Sequence, residues 1–140
     1  MKKLKITLSI LFISLATFSY AQKVKIKKDV ITINNESFGT IEDDESVRGS
    51  FYINDKNEKN LLYFKWVVSG TLNYYEIYKA DDLDNILFEE NAVMGFKKYM
   101  VKRLYNAEVL TTDGIDNDKL SDFAKKMGKE FTRIRENRKY

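Results

Sequence analysis

Hydrophobic and polar positions alternate from Lys23 onward. Val24 and Ile26 stand between Lys23, Lys25 and Lys27, a period of two that predicts a β-strand with one buried face. Lys28-Asp29 reads as a turn, residues 30–33 are β-branched throughout, and Asn34-Asn35 ends that run. Residues 37–41 and 47–53 read as further strands, with the acidic Glu42-Asp43-Asp44-Glu45 as a solvated loop between them. A polar run over residues 54–60 leads into the two strongest strand signals, 61–68 and 71–79, joined at Ser69-Gly70. Residues 81–85 read as a loop and Ile86-Leu87-Phe88 as a last short strand.

The period then changes. Val93, Phe96, Met100 and Leu104 recur at steps of three and four with lysine and arginine between them, which predicts an amphipathic helix. Val109-Leu110 and Asp113-Gly114 break it. Leu120, Phe123, Met127, Phe131 and Ile134 then mark one last helix, with Asp116, Asn117 and Asp118 as N-cap candidates. Strands first and helices afterwards predict an α+β domain: an antiparallel β-meander of five or six strands followed by two C-terminal helices packed on one face.

The first positions carry a different signal. Lys2, Lys3 and Lys5 precede an uncharged apolar run over residues 6–18, and Ser19-Tyr20-Ala21 places small residues at −3 and −1 of a cleavage junction. The run of 13 residues is shorter than the roughly 20 a membrane-spanning helix needs. Residues 1–21 therefore read as a signal peptide and 22–140 as a single globular domain, exported to the periplasm or secreted, with no transmembrane segment after processing. Three of the 24 basic residues and none of the 21 acidic ones lie in that signal, so the mature chain holds 21 of each. The sequence pI of 8.9 belongs to the precursor and gives no ground for nucleic-acid binding. No cysteine is present, so an exported domain of this size relies on its core rather than on disulfides.

The lysine-rich start, the Ala21-Gln22 junction, the Lys-Val-Lys-Ile-Lys-Lys opening strand and the absence of cysteine resemble small exported Bacteroidetes proteins of unknown function. The resemblance covers the first 35 or so residues and implies a Gram-negative envelope setting. It transfers neither an activity nor site residues.

Candidate chemistry is narrow. With no histidine and no cysteine, the commonest general base, the thiol nucleophile and the best zinc ligands are missing. Glu76, Glu89 and Glu90 are candidate carboxylates for hydrolysis, but Glu89 and Glu90 are consecutive and face opposite sides of a strand. Residues 113–118 are acid-rich but fail the EF-hand spacing. With Gly114 at the sixth loop position, Val109 takes the first and Leu120 the twelfth, so a turn and helix N-cap explain them. Eight basic against four acidic residues over 118–140 suit a solvated helix face or an anionic surface. The aromatic residues are the main interest. Pairing across a Ser69-Gly70 turn puts Leu62, Phe64 and Trp66 with Ile77, Tyr75 and Asn73 on a core face. It leaves Tyr63, Lys65, Tyr74 and Tyr78 on the other, too apolar for idle surface and too polar for a core. These four are the expected ligand or partner surface, unless a strand or loop of the same chain folds over them. The expectation is a non-enzymatic binding or structural module of the bacterial envelope, without cofactor or metal, meeting a protein, a glycan or a second copy of itself. The alternative is a small envelope-polymer hydrolase using carboxylate or Ser/Lys chemistry.

Overall fold

The computed structural model describes residues 23–138. The apolar run, the junction at 21/22 and Tyr140 lie outside them. Seven strands form one antiparallel meander in sequence order: β1 (Val24–Lys27), β2 (Val30–Ile33), β3 (Glu36–Asp43), β4 (Phe51–Asn54), β5 (Asn60–Ser69), β6 (Leu72–Lys79) and β7 (Asp82–Asn91). Turn chemistry sets this topology. Lys28 and Asn34 begin two-residue turns in which both central residues have positive φ: Lys28 48° and Asp29 65°, then Asn34 52° and Asn35 67°. Turns of this type match the right-handed twist of the strands they join.

The sheet has one strand more than the largest number expected, and its last strand is longer than expected, since residues 82–85 belong to β7 instead of forming a loop. Lys79 pairs with Asp82 and Tyr78 with Ile86, so the intervening residues bulge out of the ladder. Asn85 closes the bulge by donating to both carboxylate oxygens of Asp82 at 3.0 Å.

The β5–β6 turn is Gly70-Thr71 rather than Ser69-Gly70. Gly70 leads it at φ 63°, the first central position that glycine fills without a Cβ clash. Ser69 therefore pairs with Leu72, and Trp66 with Tyr75 rather than Asn73. Each partner shifts by two residues, which leaves every side chain on its expected face.

Three helices follow: α1 (Phe96–Asn106), α2 (Asn117–Met127) and α3 (Glu130–Asn137). Between the first two lies a hairpin of β8 (Leu110–Thr111) and β9 (Gly114–Ile115). α1 buries Phe96, Met100, Val101 and Leu104, while α2 buries Leu120, Phe123 and Ala124. Both pack on the sheet face carrying Ile31, Ile33, Ile41, Phe51, Ile53, Leu62, Phe64, Ile77 and Phe88. Asp116 caps α2, accepting from the Lys119 backbone N–H at 3.0 Å.

The last helix is two helices, not one. The chain leaves α2 at Gly128, φ 72°, a C-terminal position where glycine takes a backbone turn other residues resist. It then passes the β7 edge, where Glu89 N–H donates to the Gly128 carbonyl at 3.0 Å. α3 lies on the opposite sheet face, so the helices do not all pack on one side. No helix of the described residues is long and apolar enough to cross a membrane.

Candidate functional site

Tyr63, Lys65, Tyr74 and Tyr78 do share the second face, in a ladder that pairs Tyr63 with Tyr78, Lys65 with Glu76, and Val67 with Tyr74. They do not form an open surface. Tyr74 is 0 % exposed, Tyr63 and Tyr78 are 7 % exposed, and Lys65 alone is open to solvent. The cause is their own chain. Tyr52 stacks on Tyr63 at 4.6 Å, and Phe131 of α3 stacks on Tyr74 at 4.5 Å. The polar atoms are bonded as well. Tyr63 donates to Asp44 at 2.6 Å, while Tyr78 and Tyr74 donate to Glu76 at 2.6 and 3.2 Å. Arg135 of α3 reaches the same Glu76 carboxylate at 3.4 Å.

This burial shows in the acidities. The Tyr63 phenol is pushed up to about 12, first by loss of water and then by the Asp44 carboxylate that accepts its hydrogen bond. Tyr74 is pushed up to about 12 by burial and by the negative Glu76 beside it, and Tyr78 is raised for the same two reasons. Asp44 is lowered, chiefly by the Tyr63 hydrogen bond.

The candidate carboxylates divide as their positions demand. Glu76 and Glu89 lie directly opposite each other on β6 and β7 and are each 4 % exposed. Glu89 accepts from the backbone N–H groups of Phe131 and Thr132 at 2.7 and 3.0 Å and from the Thr132 hydroxyl. It thus caps α3 from a neighbouring strand. Glu90 faces the other way and pairs with Arg103, which also donates to Tyr99 at 2.8 Å. Glu76 and Glu89 therefore converge, but both are covered by α3. Asp113 and Asp116 belong to a hairpin turn and a helix cap, and the described residues hold no acidic cluster arranged for a metal ion.

A groove with room for a ligand lies on the core side of the sheet, where the edge strand β1 faces the start of α1. It holds about 790 Å³ and runs between residues 24–27 and residues 93–98. Its floor is the pair Tyr75 and Phe96, stacked face to face at 3.9 Å; Trp66, outside the groove lining, meets Tyr75 edge-on at 5.0 Å. Tyr75 remains half-buried, and its phenol is raised by burial and then by the Asp43 charge. The rim is basic. Lys25, Lys27 and Lys98 are exposed, while Lys97 is tied to Asp43 at 2.6 Å and lies over the Phe51 ring. Val93 and Met94 stand in solvent at the helix end, 41 % and 102 % exposed. α1 starts at Gly95 with no side-chain cap and no acidic residue in its first turn, which adds positive potential there.

Sequence reasoning saw both halves of this groove without joining them. The alternating lysines of β1 were plain, and so was the helix beginning near Val93. Nothing local to either segment says that the first strand ends the sheet among the described residues and lies beside the first helix. No protein-family model matches the chain, and comparison with curated proteins and with solved structures finds no match either.

Proposed function

We propose that the mature chain is an exported, non-enzymatic binding module of a bacterial cell envelope, and that it takes its ligand in the groove between β1 and α1. The observation that carries this reading is the stacked Tyr75–Phe96 floor beneath a rim of three exposed lysines. An apolar aromatic base gives contact area at low entropic cost, and a rim of one charge sign selects what approaches. Export rests on the charged start, apolar run and small-residue junction of residues 1–21. The non-enzymatic reading is supported by the way Glu76 and Glu89 spend their oxygens on α3 and its neighbours.

The test is amine labelling of the purified mature chain with and without isolated envelope fractions. Lys25, Lys27 and Lys98 should be protected by the fraction that holds the ligand, while Lys65 on the opposite face stays reactive. Equal reactivity at all four positions in every fraction would remove the groove reading. Turnover of a peptidoglycan or polysaccharide substrate, lost in Glu76→Gln, would establish the hydrolase alternative instead.

A further inference from the structure

We infer that the groove receives an extended acidic peptide, which joins the sheet as an added strand on the open edge of β1. This rests on the groove being the binding region and names the class of its partner.

Lys27 pairs with Val30 across the two-residue turn, and Asn34 N–H donates to the Lys23 carbonyl at 3.1 Å. In an antiparallel ladder, alternate residues turn their N–H and C=O groups to the same neighbour. Residues 23, 25 and 27 therefore face β2, and Val24 and Ile26 turn their groups outward. β1 ends the sheet order, with β2 as its single neighbour among the described strands. An edge of this kind is a template for an incoming strand.

The shape agrees. The groove is lined by every residue of β1, as an edge approached from the side must be, with the first turn of α1 as its far wall. The four residues of β1 span about 13 Å, enough for a short strand addition. Alternate side chains of an added strand point down to the Tyr75–Phe96 floor, and the others lie along the lysine rim.

Charge chooses the occupant. The residues lining the groove include four lysines and no acid. A second copy offering its own β1 would set lysine against lysine, which is unfavourable for directly opposed strands. A strand with Asp or Glu between apolar residues satisfies rim, floor and edge together.

The experiment titrates the ¹⁵N-labelled mature chain with the blocked peptide acetyl-Glu-Val-Glu-Val-Glu-Val-amide, and separately with dextran sulfate. The expected result is saturable peptide binding that slows exchange of the Val24 and Ile26 amides. N-methylation of the peptide on its pairing edge should weaken it about tenfold for each hydrogen bond removed. A Lys25→Glu/Lys98→Glu variant of unchanged melting temperature should lose the peptide. Equal binding of dextran sulfate and peptide, with no protection at Val24 or Ile26, would overturn strand addition while leaving the basic groove in place. Binding of neither probe above the level of the double variant would overturn the groove reading itself.

Discussion

The Phe131 ring lies flat on that of Tyr74, with centroids 4.5 Å apart and planes within 9° of parallel. Tyr74 is fully buried, yet no residue of α3 is, so the helix acts as a cover and not as a core element. Phe131→Ala should lower stability by about 1–2 kcal/mol, the worth of a half-buried ring and one aromatic pair. Phe123→Ala, in the core against Phe88 at 5.2 Å, should cost about 3–5 kcal/mol. Urea unfolding of the two variants side by side checks this. Equal losses would show that α3 is as integral as α2.

Glu89 holds α3 from outside the helix. Glu89→Gln keeps the shape but removes the negative charge facing the helix N-terminus and turns one acceptor into a donor. The expected loss is about 1–2 kcal/mol. Exchange of the Phe131 and Thr132 amides should speed up well before that of α1 or α2. Glu90→Gln, one residue along, should leave those two amides untouched and act through Arg103 on α1. Parent-like exchange at Phe131 in Glu89→Gln would remove the cap.

The meander was legible because its signals are local. Period-two patterns, Lys28-Asp29 and Asn34-Asn35 each report on their own few residues. The face assignment survived the misplaced β5–β6 turn because its error was an even number of residues. What failed was long-range. The stripe from Leu120 to Ile134 runs through Gly128 without losing its period, so the pattern alone hides a break that sends Phe131 to the other side of the sheet. That break is also why Tyr74 looked like part of an interaction surface, while Tyr63 is covered by Tyr52 of β4. Their cover comes from residues 52 and 130–137, far from them in the chain. The groove was illegible for the same reason: Lys25 and Lys98 become neighbours only once seven strands have curved under α1.

Processing gives a separate test. The exported form should begin at Gln22, since Ser19-Tyr20-Ala21 is the good small-x-small site after the apolar run. Intact mass of periplasmic or secreted material decides it. Cleavage inside β1 would remove the strand the groove depends on, and retention of Met1 would mean that the segment anchors the protein.

Alkaline titration reads out the covered tyrosine face. An unfolded tyrosine loses its proton near pH 10, whereas Tyr63 and Tyr74 in the folded chain hold theirs to about 12 and Tyr78 is raised as well. The folded pKa values lie above the unfolded ones, so the tyrosine contribution is fully present below about pH 10. As pH climbs from there towards 12, the unfolded chain releases protons the folded chain keeps, and the balance moves to unfolding. The melting temperature should therefore be insensitive to these groups at neutral pH and fall across that window. Tyrosinate absorbance at 295 nm should rise in two stages, the exposed phenols first and the covered ones together with loss of structure. Tyr63→Phe should make the fall shallower. A single-stage rise near pH 10 with the fold intact would mean that the Asp44 and Glu76 hydrogen bonds do not close this face in solution.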